Sequence, residues 1–421
     1  MTGQEYLSDA LQFLEDELLE EADRVRRKRR RQRTLVRRWT AAGAGVCAAA
    51  LLLLLLPGGA DVTEEEKPGA ETAEGYPSGD GSQPSPSPAG EAEDYGELER
   101  LSFSEIPADG LGYAEYMAYD ISEIVNANPW NPSLELVSLP VFRNQQYGET
   151  VLLPEAAEEK IREMRELLVQ TAQRLDIPAE ELVIAEDAPT AEMLEKEAAL
   201  AAASVSAAWQ DIRIRVGRDM TVEIQFTEPR EMPESFRFSR PSYEESEKTA
   251  GYLKDAYREL LNMEEPRINI HGGDYAYSGQ QMPYQISFYE GAGNAEEQIL
   301  HYNFCSADFC LDDAGDLFLI RIYNENLSEM AGDYPVITAE EAESLLEAGF
   351  YVTSVPCEIG EASQIAGAEL VYRKGDDCEY LMPYYEFYVE LPEEKEENGL
   401  NHYGIYYVPA VEREFLAEGA E

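Results

Sequence analysis

The stretch DIRIRVGRDMTVEIQF, Asp211 to Phe226, sets the fold class. Ile212, Ile214 and Val216 alternate with Arg213 and Arg215, and after the turn Gly217 to Met220 the residues Val222, Ile224 and Phe226 alternate again. A period of two puts these six apolar side chains on one face of an antiparallel hairpin and leaves the other face polar. Such a sheet needs a cover, and the flanking sequence supplies helices. Pro154 to Leu175, PEAAEEKIREMRELLVQTAQRL, has Pro in its first turn, early acids, and Ile161, Met164, Leu168 and Leu175 on one face. The Ala-rich segment Ala191 to about Ala208 predicts a second helix leading into the hairpin.

The same order recurs downstream. A helix over Tyr243 to Leu261, with Leu253, Tyr257, Leu260 and Leu261 inward, precedes strands expected at RINIHG, PYQISFYEG, ILHYNFC, DFCLD and DLFLIRIYN, the last two joined by the turn DDAGD. Thr338 with Glu341 forms a capping box that opens a short helix in ITAEEAESLLEAGF. AELVYRK, YLMPYYEFYVEL and GIYYVPAV read as three closing strands, while the opening sequence through Trp130 and Phe142 reads as short strands and loops. The expectation is an α+β protein with two helix-on-antiparallel-sheet lobes, residues 99–235 and 236–421.

Ahead of these lobes, Trp39 to Ala60 (WTAAGAGVCAAALLLLLLPGGA) carries no charge. Its 22 residues reach roughly 33 Å as a helix, against a hydrocarbon core of about 30 Å. Arg24 to Arg38 holds ten Lys/Arg and no acid, so residues 1–38 are expected in the cytosol and residues 39–60 in the membrane as a single span. A cleaved signal peptide is the competing reading, because Gly58-Gly59-Ala60 ends in small residues. The stretch of nearly 40 residues before the apolar run favours an uncleaved anchor. Residues 61–98, with SQPSPSPAGEAEDYGE at their heart, are rich in Glu, Gly, Pro and Ser and read as a disordered linker.

Charge divides sharply at the apolar stretch. Ten bases and eight acids precede it, and 23 bases and 76 acids follow, so the two sides carry +2 and −53. The acidic excess repels nucleic acid and anionic wall polymers and favours cations or basic partners. The Arg-rich run sets topology and grips anionic lipid. In the cytosolic segment Leu7, Leu11, Leu14 and Leu18 recur at helical spacing, which makes either a docking peptide for a partner or a solvated, partly helical tail.

Two resemblances follow. DELLEEAD, then RVRRKRRR and one apolar span, resembles the start of membrane-anchored, anti-sigma-like proteins of Gram-positive bacteria, though without a folded domain ahead of the span. LDDAGDLFLIRIYN, YPVITAEEAESLLEAG, ELVYRK, YLMPYYEFYVEL and YYVPAV, over about residues 300–411, resemble PepSY-like modules and YycH/YycI-type extracellular regulators of a histidine kinase. That second resemblance implies a helix packed on an antiparallel sheet with a non-catalytic regulatory role, and it carries over no functional residues.

Candidate chemistry is sparse. Cys305, Cys310, Cys357 and Cys378 allow three disulfide pairings, and the alternation in ILHYNFCSADFC permits Cys305 with Cys310 across a tight turn, leaving Cys357 with Cys378. Asp312, Asp313 and Asp316 form a weak calcium candidate against the plainer reading of an acidic hairpin turn. The three histidines, His271, His301 and His402, stand in no metal or triad spacing, and no phosphate loop, nucleophile elbow or dinucleotide fingerprint occurs. Acids are too abundant for any pair to be nominated. The 26 tyrosines, dense in YLMPYYEFY and HYGIYY, read chiefly as sheet core, with some available for a binding surface. No cofactor and no catalytic residue is expected. The function expected is a single-pass regulatory or sensory protein with its C-terminal region outside the cell, partnered by the bilayer and by a membrane or cell-envelope protein. The alternatives are an extracellular carboxylate-dependent hydrolase and an anti-sigma-like regulator acting through residues 1–38.

Overall fold

The computed structural model describes residues 98–106, 113–147, 154–187, 204–357, Ile359 and 364–417, apart from positions 376, 395 and 397. It is a mixed α+β structure of antiparallel sheets with few helices. The elements in chain order begin with β1 (Glu115–Ala118), β2 (Ser138–Arg143), α1 (Pro154–Arg174), β3 (Val183–Asp187), β4 (Ser204–Trp209), β5 (Ile212–Gly217) and β6 (Val222–Arg230). Next come α2 (Tyr243–Ala256), the single turn α3 (Arg258–Leu261), β7 (Pro266–His271), β8 (Gln285–Glu290), α4 (Ala295–Phe304), β9 (Ser306–Leu311) and β10 (Leu317–Ile322). The chain closes with β11 (Met330–Pro335), α5 (Ala339–Glu347), β12 (Gln364–Tyr372), β13 (Tyr380–Leu381), β14 (Pro383–Glu390) and β15 (Asn401–Pro409).

The hairpin has the register its alternation demands. Ile212 faces Phe226, Ile214 faces Ile224 and Val216 faces Val222, and all six are buried. Asp219 closes the turn by accepting from the Thr221 N–H at 3.1 Å, and Met220 takes the left-handed backbone with φ 62°. Around it grows an eight-stranded sheet in the order β3-β4-β5-β6-β10-β9-β8-β7. One half is α1 with β3 to β6 and the other is α2 with β7 to β10, interrupted by α4 between β8 and β9, and the halves meet through β6 and β10. Met164, Leu168, Ala250 and Leu253 from the helices pack on the apolar face of this sheet.

The sheet therefore draws four strands from each side of residue 235, and the 99–235 and 236–421 division does not separate the sheets. The opening segment also pairs far from its sequence neighbours. β1 lies on the edge of a four-stranded sheet, β1-β15-β14-β12, and β2 sits between β11 and β13 in a three-stranded one. One face of the four-stranded sheet packs Leu370, Phe387 and Val408 against Ala342 and Leu346 of α5 and Ile299 and Phe304 of α4.

Two sequence expectations give way to packing. ILHYNFC forms α4 rather than a strand, because Asn294 and Glu297 make a capping box just ahead of it and Ile299, Asn303 and Phe304 reach the core at helical spacing. The helix expected through Ala208 is overturned over residues 204–208, where Val205 and Ala207 are buried in β4 between β3 and β5. Residues 191–203 lie outside the described residues, as do residues 1–97 with the apolar stretch, the linker and Leu7, Leu11, Leu14 and Leu18. No described helix is long and apolar enough to cross a membrane.

Residues 113–130 act as a strap joining the two larger sheets. Along one edge β1 pairs with β15, and along the other Met117 accepts from the Tyr275 N–H at 2.8 Å. Val125 and Gly272 then exchange N–H to carbonyl bonds at 2.9 and 3.1 Å. Gly273, at φ 105°, lets the two chains touch, since a Cβ there would fall 2.0 Å from the Glu123 carbonyl oxygen. Gly273→Ala is expected to cost about 1–3 kcal/mol, from the left-handed backbone and the clash. Urea unfolding should read this as a lower midpoint, together with faster amide exchange in residues 113–130.

Candidate functional site

The face of the four-stranded sheet turned away from α5 carries the most unusual chemistry. Glu369 of β12 lies directly opposite Glu386 of β14, which lies directly opposite Tyr407 of β15, so all three project from one face. Facing positions on neighbouring strands hold Cβ atoms about 4.5–5.5 Å apart, which sets two carboxyl groups side by side. Tyr388, two residues along β14, and Tyr116 of β1 share this face, their rings meeting edge to face at 5.7 Å. Tyr302 of α4 closes a side and packs its ring on Tyr289 at 5.3 Å. At the far end Arg373 stacks over Tyr384 and Tyr407, at 5.3 and 5.6 Å.

The strap holds one of the two acids. Asn126 and Asn128 both donate side-chain N–H groups to Glu369, and Asn128 also donates to the Leu370 carbonyl at 3.1 Å. Their own carbonyl oxygens shape the loop, Asn126 accepting from the Asn128 N–H and Asn128 from the Trp130 N–H. Across the strap, the Ala127 N–H donates to Asn269 at 2.8 Å and the Tyr289 hydroxyl donates to the Ala127 carbonyl at 3.0 Å. The acid pair is thus built where the two sheets are tied together.

The two carboxyls experience different surroundings. Burial, and then the nearby Glu369, push Glu386 up to about 7, while donation from the Tyr407 and Tyr388 hydroxyls works the other way. Glu386 and Glu369 keep partial solvent exposure although protein crowds them, so they lie in a narrow crevice rather than an open bowl. Burial and the same acids raise Tyr388, Tyr407 and Tyr302 far above the usual phenol range. Among the described residues no Lys, Arg or His stands within ion-pair distance of either glutamate. Glu386 therefore changes charge close to neutral pH, far above the ordinary carboxyl range.

The residues singled out from sequence lie elsewhere. Asp312 accepts from the Ala314 and Asp316 N–H groups at 2.9 Å, and Asp316 accepts from the Met232 N–H and is ion-paired with Arg237. These two carboxylates serve the β9–β10 turn and its anchor, so with the exposed Asp313 they do not assemble a calcium site. Among the described residues no three His, Cys, Asp or Glu side chains converge as a metal site.

The expectation of a Cys305–Cys310 bridge across a tight turn is corrected: these two are thiols, not a bridged pair. Cys305 caps α4 and Cys310 lies in β9, so the extended chain between them spans about 16 Å, well over the roughly 7 Å Cα limit for a bridge. Burial raises both thiols above the ordinary range.

Sequence reading passed over Glu369, Glu386 and His402. The available signal was a lone acid inside an aromatic strand, Glu386 in YYEFYV, but pairing it with Glu369 requires the β12–β14 register. Two surface hollows also occur. One, of about 410 Å³, lies between α5 and Glu412–Glu414, and one of about 260 Å³ lies beside Lys160, Asp219 and Glu325. Neither holds paired acids with tyrosines. No protein-family model matches the chain, and no curated protein is significantly similar to it.

Because the folded protein binds the Glu386 proton more tightly than the unfolded chain does, stability falls as pH rises from about 4.5 to about 7 and is level above. The loss is on the order of 1–3 kcal/mol. Glu386→Gln removes the titration at nearly constant shape. Its stability relative to wild type should rise across that window in urea titrations, and a difference that stays flat with pH would remove the paired-acid assignment.

Proposed function

We propose that this chain is a membrane-anchored regulatory or sensory protein. In this reading Trp39–Ala60 spans the bilayer with the amino terminus in the cytosol, residues 61–98 are a spacer, and the α+β body outside binds a ligand and modulates a membrane signalling partner. The arginine run before the apolar stretch and the −53 region after it support the topology. The resemblance to PepSY-like and YycI-type modules over about residues 300–411 supports a non-catalytic regulatory role.

The observation that carries a ligand is the acid pair with no basic partner at ion-pair distance among the described residues. Buried carboxylates are ordinarily paired, so a pair left with only neutral donors suits an incoming cation. A tyrosine that gives its O–H to a glutamate turns its oxygen lone pairs outward, and its ring face attracts positive charge. The crevice therefore fits an ammonium or guanidinium group, as on a basic peptide or a polyamine, and the surrounding negative field concentrates such ligands.

Titration calorimetry of the full chain in detergent with spermidine and with an arginine-rich peptide should give binding that tightens from pH 5 to pH 8, as the Glu386 proton is lost. Glu369→Gln with Glu386→Gln should weaken it at least about tenfold. Equal affinity in the double variant would rule out the crevice. Protease added to intact cells should digest residues 61–421 and spare residues 1–38, and crosslinking there should capture a kinase, transporter or similar membrane protein.

One observation favours the second reading, an extracellular hydrolase: Glu386, pushed up to about 7, lies directly opposite Glu369, whose oxygens accept from Asn126 and Asn128, which is the unequal pairing that acid–base chemistry uses. Release of sugars from wall glycan, lost in both single Gln variants, would decide for it.

A further inference from the structure

A second titratable cluster lies on the strap, and neither functional reading uses it. His402 of β15 is 1% exposed, and both of its ring nitrogens face carboxylates. Nδ1 lies 2.6 Å from Oε2 of Glu115 in β1. Nε2 lies 3.3 Å from Oε1 of Glu396 in the β14–β15 connection, close enough for a charge contact though poorly aligned for a hydrogen bond. The third element against the ring is the β7–β8 connection, whose Tyr277 ring sits 5.9 Å away and donates its hydroxyl to Glu115 at 2.9 Å. Tyr113 also hydrogen-bonds Glu115 and in turn faces Glu394.

A neutral imidazole carries one N–H and one lone pair, so it can satisfy only one of two carboxylates and leaves the other facing a lone pair. An imidazolium satisfies both. The two carboxylates lie on opposite sides of the ring, so one metal ion could not be shared by all three groups. We propose that residues 113–130 form a latch between the two larger sheets, closed by the positive charge of His402 clipped between Glu115 and Glu396 and released when that charge is lost.

The energetics run in one direction. Burial draws the imidazole toward neutrality, but Glu115 and Glu396 outweigh it and its pKa is raised above 6.5. A group bound more tightly to its proton in the folded state stabilises fully below its unfolded pKa, and that stabilisation is lost as pH rises through the folded one. The latch is therefore closed in mild acid and opens as pH rises through a His402 midpoint above the ordinary imidazole value of 6.5. His402 joins β1, the β14–β15 connection and the β7–β8 connection, so its discharge loosens contacts that tie one sheet to the other.

Hydrogen–deuterium exchange mass spectrometry on the full chain in detergent reads both parts. Exchange at the histidine ring carbon gives each histidine's pKa, and backbone exchange, corrected for its intrinsic pH dependence, reports residues 113–130 and 398–405. His402 is expected to titrate above 6.5, with strap protection falling several-fold across the same pH range. His402→Gln should give an open strap at every pH while peptides from β4 and β5 stay protected. Glu396→Gln, which leaves the core untouched, should lower the His402 midpoint by about half to one pH unit and move the strap opening with it. If His402→Gln loses protection in β4 and β5, the Glu396→Gln shift alone decides. A His402 pKa at or below 6.5, or a strap whose pH response survives in both variants, overturns the latch.

Discussion

The backbone of residues 113–130 must satisfy hydrogen-bonding groups on two sides, and that constraint organises the molecule. β1 takes the edge of β15 on one side and the Tyr275 and Gly272 backbone on the other. Without the strap, the edge of β15 and the 272–275 loop would each present unpaired N–H and C=O groups to water or to other chains. Because the strap comes from the start of the described chain and β15 from its end, the termini of the fold are tied across an eight-stranded sheet that lies between them in sequence. Closing so long a loop costs entropy that the backbone pairing and the side-chain contacts at the seam must offset together.

Those contacts are unusually polar. Asn126 and Asn128 hold Glu369, Glu115 holds His402, and tyrosines of β1, β8, β14, β15 and α4 gather around the acid pair. A seam of aliphatic side chains would be more stable and would have no dependence on pH or ligand. Tyrosine supplies area comparable to phenylalanine while leaving an oxygen to satisfy a buried acid. The aromatic density of β14 and β15 thus serves two ends, with Tyr385, Phe387 and Tyr406 packing toward α5 and Tyr388 and Tyr407 turned to the carboxylates.

Much of the fold was legible because it rests on periodicity. The Asp211–Phe226 hairpin, the apolar face of α1, the Thr338–Glu341 cap and the closing strands all declare themselves within twenty or so residues, which is the range over which a repeat of 2.0 or 3.6 can be read. α4 was hidden because ILHYNFC is apolar and aromatic enough for either state, and its capping box lies upstream of the run. β4 was hidden because alanine favours a helix in isolation, while here Val205 and Ala207 pack in the core with Met164 and Leu168 of α1 and the backbone pairs with β3 and β5. The single sheet shared by both sides of residue 235 was hidden for a different reason. Halves that each open with a helix and supply four strands look like separate bodies in sequence, and nothing local says that β6 and β10 will join them. The acid pair and the His402 cluster depend on register across more than a dozen residues and on contacts between residues 115 and 402, so single-sequence reading could nominate neither.

The two titrating clusters pull the same way, and this bears on what the seam is for. Ionising Glu386 beside Glu369 adds a second negative charge to a crowded crevice, and discharging His402 leaves Glu115 and Glu396 without a cation between them. Each event weakens the hold on the strap, the first near pH 7 and the second above the ordinary imidazole value of 6.5. An external cation entering the crevice would reverse the first effect by neutralising the pair from outside, so a ligand and a proton compete for one place while both favour a closed strap. Natural folds retain such locally unfavourable arrangements where an input must be read out, because a site already at its energetic minimum has nothing left to respond with. The cost of holding two glutamates side by side is thus the same quantity that would let a bound cation alter the fit between the two sheets.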